Sequence, residues 1–244
     1  LRGNKFQTLN KRLGADAILG EGGEFLGLVV LYTDITLRKR LEQDLIHLAN
    51  HDSLTALFNR RHFTEALQST VERARNGIPS SLLYLDLDNF KVINDFAGHA
   101  AGDRLLQQIA QILRDHTRPG DCLARFGGDE FTVLLHGSNE EEAMGIAQRI
   151  RRRLEDFRFV EAGKAFSASA SIGIAPVDGS VSPEDVLAQA DCVCHLVKSK
   201  GRNDCEVFRP DNQEVQRLSS EANWSIRIKD ALREDRMEVW LQPI

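Results

Sequence analysis

The run Cys122-Leu123-Ala124-Arg125-Phe126-Gly127-Gly128-Asp129-Glu130-Phe131-Thr132-Val133-Leu134-Leu135 sets two short apolar segments around a pair of glycines. Cys122 to Phe126 and Phe131 to Leu135 have the length and composition of strands, and Gly127-Gly128 between them specifies a hairpin. Glycines at such a tip tolerate positive φ and let a bulky ligand approach the backbone without Cβ interference. Asp129 and Glu130 follow directly and suit a turn poorly unless something neutralises them. A solvated hairpin whose acids face water is the plainer alternative, and the four-residue string alone favours it.

Upstream, Leu85-Asp86-Leu87-Asp88-Asn89-Phe90-Lys91 ends an apolar strand, Ser81 to Leu87, in acids. Asp86 alternates with Leu85 and Leu87 and so points to the opposite face from them. If this strand lies beside the hairpin, Asp86 and Asp129 meet as like charges, which is costly without a counter-ion and favourable around a hard divalent cation. The alternative is that Asp86 caps the following helix. The two motifs together favour the metal.

Around these segments helical and strand patterns alternate from about Asp52 to Phe208, which implies an α+β domain: a central, mostly antiparallel sheet flanked by helices. Asp103 to Arg114 and Asn139 to Leu154 carry helical apolar spacing, the second opening on a capping residue and acids. Ala165 to Ala175 alternates as one strand, Pro183 to Lys198 is a helix, and Cys205 to Phe208 closes as a strand. Before this region, Ala17 to Leu19 and Leu26 to Thr33 form a hairpin around Gly22-Gly23. Leu37, Leu41, Leu45 and Leu48 then mark an amphipathic helix. It either brings two copies together or is a linker packed on its own domain. After Arg209-Pro210-Asp211-Asn212 a helix, Glu214 to Glu234, leads into the strand Met237 to Leu241.

The chain of 244 residues has 42% hydrophobic and 27% charged residues, the balance of an ordinary globular protein. A net charge of -5 argues against a nucleic-acid binder with a basic surface. Cys122, Cys192, Cys194 and Cys205 contain no CxxC pair and no zinc spacing, which points to reduced thiols in a cytoplasmic protein. The longest apolar run, Leu26 to Tyr32, is far too short to span a bilayer, so no membrane contact is expected within this chain. A start at Leu1 and an end at Ile244 in strand-like sequence read as a fragment.

The ordered set His51-Asp52-Ser53-Leu54-Thr55 with Asn59-Arg60, Asp86 to Asp95, Gly98-His99 with Gly102-Asp103, Arg125 to Phe131, and Lys198 to Asn203 resembles the GGDEF family of diguanylate cyclases. The resemblance implies a nucleotide-cyclase palm with a ferredoxin-like core over about residues 52–208. It implies condensation of two GTP molecules into cyclic di-GMP, with Mg²⁺ (or Mn²⁺) as cofactor and a homodimer as the active form. By position, Asp86, the Leu87 carbonyl and Asp129 resemble the metal ligands. Asp129 and Glu130 resemble the catalytic acids, with Glu130 helping to deprotonate the ribose 3′-hydroxyl. Gly127 and Gly128 resemble the substrate-facing glycines. Phe90 and Lys91, at a helix start, would meet the β and γ phosphates, and Lys198 and Arg202 would add cationic contacts. Asn94 and Asp103 resemble the guanine-reading pair; a carboxylate there would be left unpaired by adenine. A helix N-cap is the other reading of Asp103.

Arg118-Pro119-Gly120-Asp121 matches the family's inhibitory RxxD motif, separated from Gly127 by the five residues Cys122 to Phe126, and implies a product-binding site; a simple Pro-Gly turn is the alternative. Departures are Ala56 and Phe58 for the usual glycine and proline, and Val193, His195 and Val197 for Ala, Tyr and Ala. Residues 1–37 resemble the C-terminal part of a PAS domain, 38–51 a linker helix, and 209–244 the opening of an EAL phosphodiesterase domain without its metal-binding acids. Two rivals to a cyclase therefore stand: a silent GTP-binding module that tunes an attached EAL domain, and a cyclic di-GMP receptor.

Overall fold

The structure, a computed structural model, describes residues 11–19, 21–23, 25–161 and 163–215. The chain divides into one unit up to Asn50 and a second from His51 onward. In the first, strands β1 (Lys11–Leu19) and β2 (Phe25–Asp34) pair antiparallel, from Lys11 opposite Asp34 to Leu19 opposite Phe25. Gly23, at φ +82°, supplies the left-handed residue the intervening turn needs. Helix α1 (Thr36–Asn50) follows, its first N–H bonded to Asp34 Oδ1 at 2.9 Å. Its apolar residues Leu37, Leu41, Leu45, Ile46 and Leu48 are all exposed.

The second unit runs β3 (Phe58–Asn59), α2 (Arg60–Arg75), β4 (Ser80–Leu87), α3 (Phe90–Ala97), α4 (His99–Asp115), β5 (Cys122–Gly127), β6 (Glu130–His136) and α5 (Glu140–Asp156). It continues with β7 (Arg158–Glu161), β8 (Lys164–Ser167), β9 (Ala170–Val177), α6 (Pro183–Lys200) and β10 (Cys205–Val207). The main sheet has the order β10-β9-β4-β6-β5-β3. Its three inner pairings are antiparallel and its two outer ones parallel, so the expected α+β, mostly antiparallel architecture is present.

Strand alternation sorts the core into two layers. Leu83, Leu85 and Leu87 of β4 join Phe131, Val133 and Leu135 of β6 and Ile172 and Ile174 of β9 against α4 and α5. Leu82 and Tyr84 turn the other way, with Leu134 and Ala175, against α2 and α6. A cap such as the Asn139–Glu142 capping box at the start of α5 contributes about 1 kcal/mol. Each fully buried Leu, Ile or Phe contributes about 1.5–3 kcal/mol. Packing therefore holds the helices, and the sheet at the centre fixes where each strand ends.

Several boundaries differ from expectation. Ala165 to Ala175 is two strands in different sheets: β8 pairs only with β7, and the chain leaves that hairpin at Ala168-Ser169 before β9 joins β4. Helix α4 starts at His99, with Gly98 as its cap, so Asp103 lies inside the helix and is not an N-cap. The N-cap position of helix α3 is Asn89, so Asp86 is not its cap residue. Beyond Val215, the expected third-block helix and strand lie outside the described residues.

All four cysteines are free. Burial pushes the Cys122 and Cys205 thiols up to about 11 and that of Cys194 up to about 12, which makes them poor nucleophiles. Among the described residues no helix is long and apolar enough to cross a membrane.

Candidate active site

Two acids meet where β4 and β6 end together. Asp86 stands directly opposite Glu130, and the Leu87 N–H donates to the Asp129 carbonyl at 3.2 Å. Because Asp86 shares the face of Tyr84, it points toward α6, and Lys198 Nζ reaches its Oδ2 at 2.5 Å. Close helix–sheet approach makes that reach possible. A Cβ on Gly173 of β9 would fall 2.0 Å from the Ala190 carbonyl oxygen and 2.5 Å from the Cys194 nitrogen, so only glycine lets α6 lie so near.

The electrostatics of this end are those of surplus negative charge. Burial raises the Asp86 pKa; Lys198 opposes that rise, while Asp129 and Glu130 add to it. Lys198 also shifts upward, because the Asp86 carboxylate overrides the burial that disfavours its charge. The ammonium gains from the pair, and the carboxylate loses more to burial and its acidic neighbours than it gains. Tyr84 lies buried beside Glu130 and Asp191, and burial together with these acids holds its phenol protonated.

The hairpin tip is shifted from its expected place. Gly127 still pairs with Glu130, so the turn is Gly128-Asp129 and only Gly128, at φ +42°, needs the left-handed region. Arg125 fastens this tip. Its Nε and Nη2 donate to the Gly128 carbonyl at 2.9 and 2.8 Å, and its Nη1 pairs with Asp52 at 3.3 Å. Asp52 in turn accepts from the Thr55 N–H at 2.8 Å and hydroxyl at 2.6 Å. In the sequence Asp52 and Arg125 stand out only as family matches, since nothing local couples residues 73 positions apart.

A second group gathers on α3 and α4. Asn89 holds φ +57° and its side chain caps none of the α3 N–H groups, so Phe90 and the exposed Lys91 begin a helix whose first turn is uncapped by that residue. Asn94 lies over Gly102: a Cβ there would sit 1.9 Å from Asn94 Oδ1 and 3.1 Å from Phe90 Cζ. Gly102 thus sets Asn94 and Phe90 against the helix that carries the exposed Asp103. Arg202 stands in the turn after α6, its N–H bonded to the Val197 carbonyl at 3.1 Å.

Arg118 and Asp121 close a turn on themselves. The Arg118 N–H donates to Asp121 Oδ2 and the Asp121 N–H to the Arg118 carbonyl, both at 2.9 Å. They line a cavity of about 410 Å³ with His51, Arg114 and Leu123. None of the acids at the β4–β6 end borders it.

Among the described residues no three His, Cys, Asp or Glu side chains form a ready metal cage. Two carboxylates, Asp86 and Asp129, beside a backbone carbonyl, Leu87, and a third acid, Glu130, nonetheless suit Mg²⁺. That ion takes one or two protein carboxylates and completes its shell with water and substrate phosphates. The all-oxygen set fits it better than zinc.

Residues 49–204 match the family model described as diguanylate cyclase, GGDEF domain. The chain is 37% identical over 190 residues to the probable diguanylate cyclase DgcE of Escherichia coli, covering 77% of this chain and 17% of DgcE. It is 31% identical over 231 residues to the cyclic di-GMP phosphodiesterase PdeB of Shewanella oneidensis, covering 93% of this chain and 26% of PdeB. The coiled coil and GGDEF domain of DgcB from Caulobacter crescentus, solved in complex with c-di-GMP, superposes with a TM-score of 0.66 at 27% identity, over 70% of this chain and 91% of that one. The chain spans about a quarter or less of the length of these two curated relatives.

Proposed function

The chain belongs to the GGDEF diguanylate cyclase family, and from that premise we propose that it condenses two GTP molecules into cyclic di-GMP and two pyrophosphates. The observation that carries the proposal is the cluster of three acids where β4 meets the β5–β6 turn, Asp86 beside Asp129 and Glu130, with Lys198 against Asp86. A Mg²⁺ (or Mn²⁺) ion held by Asp86, Asp129 and the Leu87 carbonyl would polarise the α-phosphate and lower the pKa of the attacking 3′-hydroxyl. Glu130 takes up the hydroxyl proton. Lys91, Lys198 and Arg202 neutralise the leaving pyrophosphate, and the Phe90 end of α3 offers N–H groups to it. Asp103 accepts from guanine N1–H and its amine, with Asn94 held beside it over Gly102. Gly127 and Gly128 keep the tip clear for the nucleotide.

Each domain carries one GTP, so two copies must face each other before a bond can form. Arg118 and Asp121 border a cavity whose lining includes none of those three acids, and there the product would restrain the enzyme. In this reading the chemistry is cytoplasmic, where GTP is available and thiols stay reduced. The deciding experiment incubates the chain with GTP and Mg²⁺ and separates the products. Cyclic di-GMP with twice its amount of pyrophosphate supports the reading, provided Asp129→Asn yields neither. Bound GTP without product from the wild-type chain refutes it.

A second reading is favoured by one observation: a phosphodiesterase, PdeB, matches nearly the whole chain. In that reading the domain binds GTP without turnover and regulates an attached phosphodiesterase. The same incubation separates the two.

A further inference from the structure

Asp88 is a carboxylate that the proposed chemistry leaves unused, yet it is only 7% exposed. Its Oδ2 accepts from the Ser169 hydroxyl at 2.8 Å and from the Asn203 N–H at 3.0 Å, and its Oδ1 from the Ser171 hydroxyl at 2.7 Å. Its own N–H donates to the Ser169 carbonyl at 2.9 Å. Among the described residues no lysine or arginine forms a salt bridge with it. A buried carboxylate without a cation is expensive, and its three donors must offset that cost. The donors come from two places far apart in sequence, the start of β9 and the turn after α6.

That turn is strained. Gly201, Arg202 and Asn203 have φ of +129°, +68° and +48° in succession, and two of them carry side chains. Such a run persists only where its surroundings over-determine it. The Arg202 N–H is held by Val197, and the Asn203 carbonyl by Arg151 Nη1 at 3.3 Å. The Asn203 N–H is held by Asp88, which is the bond tying the turn to the segment between Asp86 and the start of α3.

We propose that Asp88 is a positioning residue for nucleotide binding: it fixes the left-handed backbone at Arg202, and so the placement of that guanidinium against the polyphosphate, relative to Asp86 and Lys91. The inference rests on the reading of Arg202 as a phosphate ligand. Asp88 touches no substrate itself and acts only through the turn.

The test measures binding of α,β-methylene GTP with Mg²⁺, an analogue whose α–β bridge cannot be cleaved, to the wild-type chain, Asp88→Asn, Arg202→Ala and the double variant. Loss of hydrogen bonds to a charged group predicts roughly tenfold weaker binding for Asp88→Asn. In the Arg202→Ala background the same substitution should cost less than about twofold, because residues acting through one group are non-additive. Equal losses in both backgrounds would make Asp88 merely structural and overturn the proposal, as would unaltered binding by Asp88→Asn. Wild-type-like binding by Arg202→Ala would remove the premise and the proposal with it. A wild-type chain that binds no analogue would sink the cyclase reading itself. If Asp88→Asn does not fold, Ser169→Ala in the same cycle should show the same non-additive pattern at about threefold.

Discussion

At the scale of single residues, the arrangement makes Gly102 as consequential as the acids. Gly102→Ala puts a methyl 1.9 Å from Asn94 Oδ1, so Asn94 must leave its seat over residue 102, next in sequence to Asp103. Affinity for GTP should fall by about tenfold, with selectivity over ATP falling too, since a purine-reading pair out of register loses its paired hydrogen bonds. Competition binding of the two nucleotides reads this directly. The clasp between Asp52 and Arg125 carries a pH signature. Burial of Asp52 works to raise its pKa, but bonds from Thr55 and the charge of Arg125 outweigh it, and the carboxyl sits below its ordinary 3.8. A depressed carboxylate contributes stability that is present above the unfolded-state value and is lost as pH falls through the folded one. Thermal unfolding of Asp52→Asn should therefore show a smaller loss of stability below about pH 4 than the wild-type chain, and a lower melting temperature at neutral pH.

At the scale of elements, the contact of α6 with β9 sets the reach of Lys198. Gly173→Ala drives a methyl into the Ala190 carbonyl and the Cys194 nitrogen, which are backbone and cannot swing aside. Overpacking of this kind costs about 1–3 kcal/mol. The melting temperature should drop, and nucleotide binding should weaken with it as Lys198 is pushed from Asp86. Local signals made some elements legible: the Asn139 capping box announces α5, and the Gly-Gly pair announces the β5–β6 hairpin. Signals of that kind fail where a partner strand decides. Ala165 to Ala175 alternates without interruption in sequence, yet Asp88 and β4 claim the part from Ser169 onward while β7 claims the rest. The sequence pattern starts α4 late for a related reason: apolar spacing becomes visible only at Leu105, whereas the helix begins at His99, where α3 packs on Gly102. In the site, strand alternation and the hairpin bring Asp86 to the acids of the turn, where its register partner is Glu130. The fastening of Gly128 by Arg125, and the seat of Asn94 on Gly102, depend on contacts that no spacing encodes.

At the scale of the whole molecule, one domain offers one set of acids at the β4–β6 end, and under the proposed reaction a bond between two GTP molecules would need two chains. Occupation of the Arg118–Asp121 cavity by product should slow the reaction, and Arg118→Ala should relieve that inhibition while leaving the initial rate within about twofold, because the cavity borders none of the acids. Progress curves with added cyclic di-GMP distinguish the two forms. The most direct trial of the account is the rate of cyclic di-GMP formation per chain, measured with GTP and Mg²⁺ across a dilution series. The account predicts a rate per chain that climbs in proportion to chain concentration when dilute and levels off as pairs form. A rate per chain that stays constant on dilution, or GTP bound at every concentration with no product released, would contradict it.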